Sequence, residues 1–275
     1  MKILIKNTFD YHHEIIESVI YKYGFVLGIE PSKDDVIYLQ FNKNKFYHEY
    51  IYNKYPLIKI FNEKEEIIES DFDYIIECTI HENNYKTIID DGKHFYISHR
   101  VHQTYRENVF YLTPLCKTQR FFYADVLPYT EEKKISKIPT FAVIGDLNNK
   151  DLTLLDKILD VTTDLKYKIK ILGRNGNNIN NENVSMLSHL NFQNFHRELL
   201  DVFCIITLTS KKKTNKYYNH MLTSTIHYTK AYNFKTIIDK DLQDIYNLDN
   251  VEIFENYDDI GSSFLKVIKD FYSVN

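Results

Sequence analysis

The stretch NFQNFHRELLDVFCIITL (residues 191–208) decides how this chain is read. Phe192 to Val202 reads as a helix, and it runs straight into Phe203-Cys-Ile-Ile-Thr-Leu208, a buried strand. A helix feeding directly into a short apolar strand is the building step of an α/β protein.

The same beat continues on both sides. Downstream lies a polar loop, Thr209 to Asn219. Then comes a mostly helical stretch, Tyr217 to Asn233, opened or interrupted at Thr223-Ser-Thr-Ile226. A strand (Thr236 to Ile238), a short helix (Leu242 to Asn247), a strand (Val251 to Phe254) and a closing helix (Asp258 to Tyr272) complete the chain. Upstream, Thr140 to Ile144 is a strand ending in the turn Gly145-Asp146. Asp151 to Val161 carries Leu152, Leu154, Leu155, Ile158 and Leu159 at the spacing of an amphipathic helix. Tyr167 to Leu172 is a strand that stops at Gly173-Arg174, and Asn175 to Asn183 is a polar loop.

Further upstream, residues 128–139 are charged and bracketed by Pro128 and Pro139, the best linker in the chain. Before it the alternation is already present. Strands are expected at Met1 to Lys6, Asp35 to Phe41, Leu57 to Ile60, Asp73 to Thr79, His94 to Ser98 and Asn108 to Leu112. Helices are expected at Tyr11 to Tyr23, with Asp10 as N-cap and Gly24 as stop, at Lys43 to Lys54, and at Asn83 to Asp90. Alternation implies parallel sheets covered on both faces, and a central linker implies two of them. The expected fold is α/β, with two Rossmann-like domains (1–130 and 139–275) whose parallel sheets face across a cleft. The last helix is free to pack back on the first domain.

Bulk properties narrow the function classes. A 275-residue chain with 44% hydrophobic and 26% charged residues has the make-up of an ordinary globular protein. A net charge of -4 predicts no nucleic-acid partner. Cys78, Cys116 and Cys204 are far apart and lie in apolar runs, which predicts free buried thiols and no structural metal. The N-terminus turns polar too soon for a signal peptide, and no apolar run is long enough to span a bilayer. The expected location is the cytoplasm. With 23 Tyr, 18 Phe, no Trp and only 7 Gly, the composition carries the codon bias of an AT-rich genome, so individual Lys, Asn and Tyr residues carry little weight as motif members.

The order of the second half (Phe141-Ala-Val-Ile-Gly145, Leu172-Gly-Arg174, the helix–strand unit of residues 191–208, Thr223-Ser-Thr-Ile226 and Ala231-Tyr-Asn233 before Lys235-Thr-Ile-Ile238) resembles the donor-binding half of glycosyltransferases of the GT-B fold. The resemblance covers residues 140–255. The idiom of Tyr96-Ile-Ser-His-Arg100 and residues 108–114 resembles glycosyltransferase-like proteins of large DNA viruses with AT-rich genomes. The resemblance implies transfer of a sugar from a nucleotide-diphosphate donor to a glycan, protein or small-molecule acceptor, without a metal or cofactor. Tyr228 stands where many retaining members carry a glutamate. That departure points to inversion, or to an inactive descendant that still binds a nucleotide or glycan.

Candidate site residues follow from the strand ends. Thr223, Ser224 and Thr225 offer hydroxyls and a helix N-terminus to a pyrophosphate; an ordinary capped helix is the alternative. Arg174 is a candidate charge for the leaving diphosphate, or a surface arginine. Lys211, in Lys211-Lys-Lys213, is a phosphate contact or part of a solvated loop. Gly145 permits a tight turn, but without a GxGxxG fingerprint for a nicotinamide or flavin. The base that deprotonates the acceptor is sought at Asp10, His12 and His13, at Glu77, and at His99-Arg100. Helix capping and exposed first-turn histidines are the plain alternatives.

Overall fold

The computed structural model describes residues 1–7, 12–41, 45–61, 66–80, 82–102, 105–116, 118, 120–126, 131–134, 136–174 and 179–274. The chain divides into two compact units, Met1–Pro128 and Tyr129–Asn275.

In the first unit the chain forms β1 (Lys2–Asn7), α1 (His13–Leu27), β2 (Val36–Phe41), α2 (Lys45–Lys54), β3 (Lys59–Ile60), β4 (Tyr74–Glu77), β5 (His94–Ser98) and β6 (Val109–Tyr111). The strands pair in the order β3-β2-β1-β4-β5-β6, all parallel. Ile3, Leu4 and Ile5 of β1 are buried in succession, as a strand covered on both faces requires. Helix α1 lays Ile15, Ile16, Val19 and Ile20 on this core. Its Glu17 is fully buried and accepts from Lys54 Nζ at 2.6 Å and Tyr55 Oη at 3.0 Å, which ties α1 to the end of α2.

Gly24 does not stop α1. The helix runs to Leu27, and Gly28 closes it in the left-handed region (φ 68°), donating to the Gly24 carbonyl. Gly24 serves a close approach instead: a Cβ there would lie 2.6 Å from Cγ of Pro31, where the chain folds back.

In the second unit the chain forms β7 (Thr140–Ile144), α3 (Leu152–Leu159), β8 (Lys168–Leu172), β9 (Val184–Leu187), α4 (Phe192–Leu199), β10 (Cys204–Ile206), α5 (Lys211–Thr214), α6 (Lys216–Asn219), α7 (Ser224–Tyr232), β11 (Lys235–Asp239), α8 (Lys240–Tyr246), β12 (Val251–Phe254) and α9 (Ile260–Val274). Its strands pair in the order β12-β11-β10-β7-β8-β9, again all parallel. Counted from each unit's first strand, both sheets have the order 3-2-1-4-5-6. The order reverses between the first and fourth strands, and the crevice beyond their C-terminal ends is where such sheets bind ligands.

The last helix lies in the second unit, within the expected range 139–275: Phe264 of α9 packs on Phe141 at 4.5 Å and on Tyr167 at 5.1 Å, inside that unit's core. Two sequence expectations change here. The polar segment after β8 is followed by an edge strand, β9, and the loop from Thr209 to Asn219 folds into α5 and α6. The second part of the linker is docked: the Lys134 amide donates to the Leu200 carbonyl at 2.9 Å and Lys133 Nζ to the Tyr232 carbonyl at 2.6 Å. All three cysteines are free and buried. Among the described residues no helix is long and apolar enough to cross a membrane.

Candidate functional site

At the switch point of the second sheet, β7 ends in Gly145, whose φ of +105° suits a residue without a Cβ. Gly173, at the end of β8, presses on it. A Cβ on Gly173 would sit 1.9 Å from the Gly145 carbonyl oxygen, so the two loops meet backbone to backbone. After Gly145 a 3-10 turn (Leu147–Asn149) leads to Lys150 and then Asp151, the N-cap of α3.

Lys150 is 7% exposed. Its Nζ lies 3.1 Å from Oγ1 of Thr225 and 3.4 Å from the Thr207 carbonyl oxygen. Both partners are neutral, and among the described residues no carboxylate pairs with it. Burial alone lowers its pKa to about 8. Thr225 Oγ1 also receives Thr223 Oγ1 at 3.3 Å and lies 3.4 Å from the Ile144 carbonyl oxygen. The start of α7 is thereby tied to the end of β7. Thr223 is the N-cap of α7 and makes no side-chain capping bond. Ser224 Oγ and Lys150 Cε each lie 3.9 Å from where a Cβ on Gly145 would be. One glycine, one buried ammonium and one helix N-terminus thus share a corner, which is the composition of an anion site.

Asp151 holds this corner in place. Its backbone N–H donates to the Leu208 carbonyl at 2.8 Å, while its carboxylate accepts from Ser210 Oγ at 2.6 Å and Thr153 Oγ1 at 2.6 Å and pairs with Lys213 at 3.0 Å. Burial raises its pKa, but the bonds from Ser210, Thr153 and Lys213 outweigh this and leave it lowered.

The other expected donor-side residues lie nearby with different employment. The Arg174 side chain is exposed, and its carbonyl accepts the Leu147 amide at 3.1 Å, bracing the turn after β7. Lys211 pairs with Asp241 of α8 at 2.8 Å, with both side chains about half exposed. Tyr228 packs its ring on Phe195 at 5.2 Å.

In the first unit Asp10 lies outside the described residues. His12 is the N-cap of α1, in the left-handed region at φ 67°, with Nδ1 3.1 Å from Oε1 of Glu14. His99 follows β5, and its ring centroid is 5.2 Å from that of His12. Two of the candidates are therefore brought together, with a buried carboxylate behind one of them. His13 stacks on Tyr47 at 4.1 Å, and Glu77 pairs with Lys6 at 3.7 Å.

Sequence reasoning missed Lys150, the bracing role of Asp151, and Glu14. Their positions were visible, Lys150 between the glycine turn and the α3 cap and Glu14 in the first turn of α1, but nothing in the sequence set them apart from the many other lysines and acids.

Two parallel sheets of this order with flanking helices match the GT-B fold of glycosyltransferases. The match is to a lipopolysaccharide outer core galactosyltransferase, WaaB, in its apo form. It spans 98% of this chain and 91% of that one at a TM-score of 0.50 and 13% identity. The chain is also similar to E. coli heptosyltransferase WaaC with ADP (99% and 98% covered, TM-score 0.43, 9% identity) and to S. aureus MnaA in a co-structure with UDP (98% and 88%, 0.45, 7%). No family model matches the sequence, and no curated protein matches it.

Proposed function

We propose that this protein is a glycosyltransferase that moves a sugar from a nucleotide-diphosphate donor to an acceptor hydroxyl with inversion. The second unit binds the donor diphosphate and the first unit binds and deprotonates the acceptor. The observation that carries the reading is Lys150, a buried ammonium surrounded by neutral oxygens beside Gly145 and the α7 N-terminus. An uncompensated buried charge is costly unless an anion joins it.

In the reaction an acceptor O–H passes its proton to a first-unit base as the oxygen attacks the anomeric carbon. The bond from that carbon to the diphosphate oxygen breaks, and its electron pair leaves with the nucleoside diphosphate. Lys150 and the first-turn amides of α7 stabilise that growing charge, the part a divalent cation plays elsewhere, so the reaction is metal-independent. His12 is the favoured base, because the buried Glu14 carboxylate lies 3.1 Å from its Nδ1, where it stabilises the imidazolium that forms when the acceptor proton is taken. His99 stands beside it. A second reading, a protein that binds the nucleotide without transferring the sugar, is favoured by Tyr228, whose ring is packed on Phe195 where a carboxylate is common in retaining relatives.

A thermal-shift and calorimetry screen with uridine, guanosine, adenosine and cytidine diphosphates and their sugars tests this. At least one should raise the melting temperature, and the Lys150→Met variant should lose that response. A wild-type chain indifferent to all of them removes the proposal. Binding without sugar release or transfer selects the second reading.

A further inference from the structure

We infer that the acceptor is acidic: it carries a phosphate or carboxylate group held by the basic segment that follows β5. The inference rests on the transferase reading and gives the acceptor a chemical class.

Between residues 99 and 106 the chain places His99, Arg100, His102 and Arg106, all half-buried, with no acidic residue among them. This occurs in a chain whose net charge is -4, so the local excess does not follow from overall composition. The segment is anchored at its start. Ser98 Oγ donates to the Arg100 carbonyl at 2.8 Å, receives the Arg100 amide at 3.2 Å, and lies 3.3 Å from His102 Nε2. Tyr85 is a shared platform for the later part of the cluster: the His102 ring stacks on it at 3.7 Å, and the Arg106 guanidinium sits 5.8 Å from its centroid. Tyr85 is itself buried and hydrogen-bonded to Tyr111. His99 at the other end reaches His12, so the cluster adjoins the proposed base.

Two polar atoms of this unit are buried without a partner among the described residues, one before β6 and one after β4. One is Nε of Arg106. The other is Oγ1 of Thr79, a residue 3% exposed that follows β4 with φ +68°, a strained setting for a β-branched side chain. A buried donor left unmet is costly, and more so on a charged group. An oxyanion is the ligand that meets such donors, and the planar fork of a guanidinium matches its geometry. A neutral sugar would leave the Arg106 charge without an anion.

The test titrates the full chain by calorimetry with glucose 6-phosphate, glucuronate and glucose. Wild-type protein should bind at least one acidic sugar at least tenfold more tightly than glucose. Arg106→Gln should lower that affinity at least fivefold, and His102→Gln, which leaves the guanidinium in place, should lower it at least twofold. Each variant's melting temperature is recorded to establish that it is folded. Lys150→Met, which alters the anion corner of the second unit, should keep the acidic-sugar affinity. Phosphate binding lost in Lys150→Met but kept in Arg106→Gln overturns the inference, as does equal affinity for acidic and neutral sugars. If no nucleoside diphosphate binds while the Arg106 dependence holds, the donor reading fails and the acidic site stands.

Discussion

The two sheets share one strand order but differ at their C-terminal edges. The second edge is built from a glycine turn, hydroxyls and a buried lysine with neutral neighbours. The first is built from imidazoles, a carboxylate at 3.1 Å and, just after β5, the half-buried Arg100. A shared topology fixes where a ligand sits, and the side chains at the strand ends decide which one and what is done to it. One edge is suited to hold a charge that develops, the other to remove a proton.

That contrast breaks most sharply at the proposed base. His12→Asn should lower transfer by about 10²–10⁴-fold while nucleoside diphosphate affinity stays within twofold, read as kcat against donor binding. A parallel loss of both would erase the division of labour. Next in size, Lys150→Met should weaken nucleoside diphosphate binding by about 100-fold, a typical loss for a removed buried charged contact of about 3 kcal/mol. The same variant should be at least as stable as wild type without ligand, since an uncompensated buried charge has gone. Gly173→Ala tests the floor of the corner: a Cβ 1.9 Å from the Gly145 oxygen forces the two loops apart, at a cost of about 1–3 kcal/mol in denaturant unfolding. Lys211→Ala should change donor affinity less than twofold, because its partner is Asp241 and the pair is exposed. A tenfold loss there would return the lysine run to the donor site.

Stability against pH sharpens the picture of Lys150. Its pKa is about 8 when folded and 10.5 when free, so the unfolded chain binds the proton more tightly. The penalty, about 3 kcal/mol for the 2.5-unit gap, is fully present below pH 8 and is relieved as pH rises from 8 to 10.5. Unfolding free energies of wild type and Lys150→Met should therefore converge across that window.

Much of the fold was legible because parallel strands buried on both faces write themselves as short apolar runs, as in Phe203-Cys-Ile-Ile, and helices as stripes, as in Leu152 to Leu159. β9 was not, since Val184-Ser-Met-Leu187 is a half-buried edge strand with no continuous apolar run. Gly24 misled because a glycine ends a helix or permits a close contact with equal ease, and here Pro31 decides. The site was half legible. Gly145, Ser224 and Thr225 are local features of a turn and a helix start. Lys150 acquires its character only when β10 and α7 close over it, and a lysine-rich sequence gives it no distinction beforehand. Glu14 likewise becomes a histidine's partner only through the left-handed turn at His12.

On the proposed reading Lys150 waits, partly deprotonated in alkaline solution, for an anion. Calorimetry of the best-binding nucleoside diphosphate at pH 9, in two buffers of different ionisation enthalpy, reads it directly. About one proton should be taken up per nucleotide bound by wild type, as an ammonium with a free-state pKa near 8 is fully charged by the diphosphate. Binding of equal strength with no proton uptake would contradict the claim and move the diphosphate away from Lys150.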